Sequence, residues 1–164
     1  MESMRKLSGI PKGYDALYNL LLDSGLRLVE AIKVINEFKS AEKINGFYRT
    51  QVAMFRGSKQ AYYAYFTEAT YLKMQAQREP IKPVNASHYF DKRGFISPKY
   101  LRKFAFDKMI ELEVPESIAD FIEGRVAKRI GAKHYMALAR QANGFYGRYA
   151  EFLNGLRVRV LQVA

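Results

Sequence analysis

The chain predicts a mainly α fold carrying one small antiparallel β-hairpin or sheet, in a single domain over residues 1–164. Apolar residues recur at helical spacing along most of its length. One central run is instead rich in aromatic and β-branched residues around a glycine turn, and no linker is long enough to divide the chain. With 49% apolar residues there is material for one well-buried core at this length.

After a short polar lead, Tyr14 to Asp23 puts Leu17, Leu20 and Leu21 on one side of a helix, which Ser24-Gly25 breaks. Leu26-Arg27-Leu28 leads into a second helix in which Leu28, Ala31, Ile32 and Ile35 recur. Taken alone, Arg27 at this junction reads equally as a solvated surface residue and as one that its apolar neighbours aim at a site. Phe47 to Phe55 and Ala61 to Phe66 predict two strands. Between them Arg56-Gly57-Ser58-Lys59 supplies the glycine that a hairpin turn uses for positive φ, with Lys59 at or just after the tip. A lysine there commonly serves only solubility.

Thr67 to Arg78 predicts a short helix, and Glu79-Pro80-Ile81-Lys82-Pro83 a proline-stiffened connection. Asn85 to Gly94 reads as turn-rich, with His88 an ordinary loop histidine. The main helix runs from Ser97 to Leu112 with Leu101, Phe104, Ala105 and Met109 inward. The Ser97 oxygen can cap a free N–H, and Pro98 suits the first helical position, where its missing donor would be orphaned anyway. Lys99 and Arg102 then share one face at i and i+3, against the helix dipole. A bound phosphate would relieve that conflict; the plainer reading is a pair of solvated charges. Val114-Pro115-Glu116-Ser117 starts a further helix, Ile118 to Glu123, closed by Gly124, and Arg125 follows directly. Ala132 to Leu153 predicts a terminal helix weakened at Gly144 and Gly147, and Val158 to Ala164 an apolar tail.

The charge balance narrows the function. Lys and Arg number 27 against 16 Asp and Glu, a formal charge of +11, which attracts a polyanion such as nucleic acid through its phosphates. There is no cysteine, so neither a disulfide nor a thiolate metal site can form. His88 and His134 are too few and too far apart for a zinc site, so no metal site is expected. No apolar run reaches 18 residues and the first residues lack a signal-peptide core, which predicts a cytoplasmic protein without a membrane span.

The order of these features resembles a family. An arginine in a Ser24-Gly25-Leu26-Arg27 turn with acidic Glu30 three residues on, a hairpin lysine (Lys59), Lys99 three residues before Arg102 on a helix, Arg125 after the helix-stop Gly124, and Tyr135 ten residues later look like the catalytic domain of tyrosine recombinases, or integrases. The likeness covers nearly the whole chain. Any one of these residues is weak evidence; six in order are specific as a set. Two positions depart from most members: Lys99 and Arg125 stand where histidine is usual. Both departures, and the stretches PKYLRKFAFDKMIEL and ADFIEGRV, resemble the archaeal fusellovirus-type virus and plasmid integrases.

The resemblance implies a tyrosine recombinase catalytic-domain-like fold and a site-specific recombinase that cuts and rejoins double-stranded DNA through a covalent 3′-phosphotyrosine on Tyr135. It implies a tetramer on DNA, a nucleoid-associated place in the host cell, no cofactor, and an N-terminal helical domain that this chain lacks, so that the chain would be the C-terminal fragment of a longer integrase. The chemistry suits the residues. A tyrosine hydroxyl can store the phosphodiester bond energy as an ester without metal or nucleotide, but its pKa of about 10 calls for positive neighbours. Arg27, Arg102 and Arg125 would provide them and stabilise the transition state. Lys59 is the candidate general acid for the leaving 5′ hydroxyl. Lys99, protonated at neutral pH, is a further phosphate donor. Among 12 tyrosines most serve the core or the surface; Tyr135 stands out by following Arg125 beside Lys133 and His134. The alternative is a basic helical module, a decayed integrase that binds DNA or RNA without cutting it.

Overall fold

A computed structural model describes residues 1–56, 59–77, 79–127 and 131–162. Helix α1 (Glu2–Arg5) and a 3-10 turn precede α2 (Lys12–Ser24) and α3 (Leu28–Glu37). Strands β1 (Glu42–Ile44), β2 (Phe47–Arg56) and β3 (Lys59–Thr67) come next, followed by α4 (Glu68–Ala76), α5 (Pro83–Lys92), α6 (Pro98–Glu111) and α7 (Glu116–Ile122). A two-residue β4 (Val126–Ala127) leads to α8 (Ala132–Gln162). The architecture is mainly α with one small antiparallel sheet, as the periodicities predict.

Helix α2 is the axis of the fold. Every residue from Ala16 to Ser24 is buried, and α3, α4, α6 and β3 pack around it. The sheet has the order β1-β2-β3-β4, antiparallel throughout. The β2–β3 hairpin is as expected, although Gly57 and Ser58 of its turn lie outside the described residues.

Four local expectations are corrected. Strand β1 was not foreseen, yet Asn45-Gly46, with φ of 42° and 92°, makes the two-residue left-handed turn that sets Ile44 opposite Phe47. Asn85 to Gly94 is mostly helical: Pro83 occupies the first turn of α5, Gly94 at φ 64° ends it, and His88 is an exposed helix residue. Phe104 is 38% exposed, its ring centroid 6.2 Å from that of Phe152. Ser97 takes the N-cap position of α6 without a side-chain bond.

Helix α8 does not stop near Leu153. It continues through Arg157 to Gln162, so the described part of the expected tail is helical, while residues 163 and 164 lie outside the described residues. The end of α2 anchors this helix on both sides of Leu153. Tyr146 donates to Asp23 O at 2.8 Å and Tyr149 to Leu22 O at 2.7 Å, supplying partners that a helix C-terminus cannot find within itself. The Arg157 guanidinium meets the buried Asp23 carboxylate and donates to Asn19 Oδ1 at 3.0 Å. Asp23 Oδ2 also accepts from Thr67 N, Thr67 Oγ1 and Thr70 Oγ1 at 2.9, 2.7 and 2.7 Å. Such a saturated polar network can be buried without leaving a charge unmatched.

Candidate active site

Two chain reversals and one helix start build one cleft. The first follows α2. Gly25, at φ 61°, donates to Leu21 O and turns the chain so that Arg27 stands at the start of α3. Glu30, 1% exposed, then holds Arg27 twice: Oε2 accepts from the Arg27 main-chain N–H at 2.9 Å, and Oε1 from Nη1 at 2.8 Å.

The second reversal ends α7. Arg125 N donates to Asp120 O at 2.8 Å and Gly124 N to Phe121 O at 3.2 Å, a double closure that requires the left-handed Gly124. Space imposes glycine there as well, since a Cβ would lie 2.6 Å from that of Ala61. This closure turns two carbonyls toward the arginines. Gly124 O accepts from Arg27 Nη1 at 3.1 Å and Glu123 O from Arg102 Nη2 at 3.0 Å.

The third contribution is the first turn of α6, which brings Lys99 and Arg102. Together Leu26, Arg27, Leu28, Pro98, Lys99, Arg102 and Arg125 line an open cleft of about 540 Å³. The fold thus gathers four of the six expected site residues. Arg102 is the deepest of the three arginines, its side chain 13% exposed against 35% for Arg27 and 33% for Arg125. Burial lowers its pKa, with Arg27 and Arg125 acting in the same sense and Glu123 opposing them. The Arg125 guanidinium also lies 4.8 Å from the centre of the Phe106 ring, a cation–π contact.

Glu123 was not foreseen. Its side chain is fully buried beneath the cleft, with Oε2 2.7 Å from Arg125 Nη2 and 3.4 Å from Arg102 Nε. Neither carboxylate oxygen makes an aligned hydrogen bond, and Arg102 Nη1 and Arg125 Nε are likewise buried without one. Burial pushes the Glu123 carboxyl up to about 7 against the pull of Arg125 and Arg102. The available sequence signal was an acidic residue inserted between apolar Phe121-Ile122 and a helix-stop glycine.

The remaining two expected residues lie elsewhere. The main chain of Lys59 opens β3 opposite Ala127, two residues beyond Arg125, while its side chain lies outside the described residues. Tyr135 is in the first turn of α8 and does not line the cleft. Its ring packs 4.1 Å from Tyr62, 5.7 Å from Phe121 and 6.3 Å from Tyr63, centroid to centroid. Burial first, and then the neighbouring Tyr63, raise the pKa of its phenol well above the usual tyrosine value. The activation expected from the arginines is therefore missing in this arrangement.

Among the described residues, no helix is long and apolar enough to cross a membrane. A family model described as archaeal phage integrase matches residues 1–152 of the chain. No curated protein matches it.

Proposed function

Because the chain belongs to the archaeal phage integrase family, we propose that it cuts and rejoins double-stranded DNA through a covalent 3′-phosphotyrosine intermediate on Tyr135. The observation that carries this reading is the convergence of Arg27, Lys99, Arg102 and Arg125, from three separate parts of the chain, on one open cleft. Guanidinium forks suit paired phosphate oxygens, and a cleft of fixed cations favours the extra negative charge of a five-coordinate phosphorus over the ground-state diester.

In this mechanism the scissile phosphate lies against Arg27, Arg102 and Arg125, with Lys99 as a further donor. The Tyr135 hydroxyl gives its proton to solvent water and its oxygen forms the new P–O bond as the bond to the 5′ oxygen breaks, and Lys59 gives that leaving oxygen a proton. Rejoining is the reverse reaction on the partner strand. The aromatic packing of Tyr135 keeps its phenol neutral, so attack requires the hydroxyl to leave those rings for an arginine cleft, in its own subunit or in a neighbour's. The chain would act as the catalytic part of a longer integrase, assembled as a tetramer on DNA.

The resting position of Tyr135 also favours the competing reading, a basic module that binds DNA without cutting it. One assay separates the two. Nicked duplexes carrying the attachment site are expected to trap a covalent protein–DNA band with the natural chain and none with Tyr135→Phe, which removes a single oxygen and leaves DNA binding nearly unchanged. A band that persists in the variant would remove Tyr135 from the mechanism.

A further inference from the structure

The peptide units of Glu123 and Gly124 touch all three cleft arginines. Main-chain carbonyls take Arg102 at Glu123 O and Arg27 at Gly124 O, while the Glu123 carboxylate contacts Arg125 at 2.7 Å and Arg102 at 3.4 Å. The carboxyl group is pressed against the first turn as well: a Cβ on Gly25 would lie 2.4 Å from Oε1 and 2.8 Å from Cγ. We infer that Glu123 is the positioning residue of the arginine cleft, a buried carboxylate that holds Arg102 and Arg125 in register with Arg27 and cancels one of their charges. This rests on the arginine cleft being the cutting centre.

The argument is one of geometry and charge. Three guanidinium groups in one cleft repel each other and would splay toward solvent. A carboxylate beneath them, out of reach of water, holds them inward and leaves their outer N–H groups for a phosphate. The price of that arrangement is a carboxylate buried without aligned hydrogen bonds. Among the described residues, Arg125, Arg102 of α6, Asp120 of α7 and Tyr149 of α8 interact electrostatically with Glu123, and Arg27 and Glu30 at the start of α3 act on Arg102. With its pKa raised to about 7, Glu123 is charged above that pH and neutral below it, so the anchor weakens as pH falls through neutrality.

The test uses Glu123→Gln, which keeps the shape and removes the charge, with Glu123→Asp as the conservative variant. Glu123→Gln is expected to slow single-turnover cleavage by roughly 10- to 100-fold, the scale of small misplacements in a site. It should bind duplex DNA as tightly as the natural chain or more tightly, since the cleft gains a net positive charge. The rate inflection near pH 7 should vanish in Glu123→Gln and remain in Glu123→Asp. The Nε–H resonances of Arg102 and Arg125, recorded by nitrogen-15 NMR without DNA, should be slow to exchange with water in the natural chain and fast in Glu123→Gln. Unchanged resonances, or cleavage within about twofold of the natural rate across pH 6 to 8, would overturn the assignment. Should Glu123→Gln melt below the assay temperature, Glu123→Asp decides: slowed cleavage that keeps the inflection supports the positioning role, and full-rate cleavage overturns it. If the natural chain forms no covalent adduct, the cutting reading fails, while the arginine resonances still decide what Glu123 holds.

Discussion

A Cβ on Gly25 would collide with the Glu123 carboxyl group, and its φ of 61° is one that side chains avoid. Gly25→Ala is therefore expected to lose at least about 1–2 kcal/mol in urea unfolding from the backbone alone, and to slow cleavage beyond that by displacing Glu123; a variant of natural stability and rate would mean that the turn and the carboxyl move apart at no cost. At this scale the sequence was informative where local rules suffice. Arg125 directly follows a glycine that ends a helix, Arg27 stands two residues after another, and Lys99 and Arg102 share the first turns of a third, but taken alone these read equally as solvated charges; it is their order along the chain, which resembles the integrase pattern, that names all four. Glu123 could not be named, because its burial depends on Arg102 and Gly25 arriving from other parts of the chain. Tyr135 was named, but its aromatic surroundings were not, since Tyr62 and Tyr63 come to it from β3, more than 70 residues earlier.

Helices α5, α6 and α7 all end in the same double closure. At α5 Phe95 N reaches Phe90 O at 3.1 Å, and at α6 Val114 N reaches Met109 O at 3.0 Å. Glycine takes the left-handed position in α5 and α7, whereas α6 places Glu113 there at φ 59°. The Glu113 side chain is exposed, and among the described residues its carboxylate pairs with the surface residue Arg148, at 3.7 Å. Glu113→Gly is expected to stabilise the protein by about 0.5–1 kcal/mol, a rise in melting temperature of about 1–4 °C; a fall would show that the Arg148 contact outweighs the backbone strain. Elements with a strong local pattern were legible: α2, α3, α6, α7 and the β2–β3 pair. Strand β1 has only three residues, and its one clear signal, Asn45-Gly46, lay outside the run read as strand. The part of α8 beyond Leu153 was missed because Gly155 weakens it locally, and Arg157 holds it through a contact more than 120 residues away in sequence.

Over the whole molecule the formal charge is +11, and under the proposed function the open cleft would meet DNA from one side. Each neutralised phosphate contributes about −0.9 to the slope of log affinity against log salt, so the isolated chain is expected to bind duplex DNA weakly, with little sequence preference and a slope on the order of −4 to −7. Titration of target and scrambled duplexes at several salt concentrations checks this; tight, salt-insensitive discrimination would show that this chain reads sequence unaided. The anchoring of α8 on the end of α2 also has a consequence in time. Synthesis runs from the N-terminus, and a contact cannot form before both of its residues exist. The end of α2 that leads to Arg27 is made more than 120 residues before Tyr146, Tyr149 and Arg157, which hold it. Throughout the synthesis of that intervening stretch the foundation of the arginine cleft is therefore unfastened.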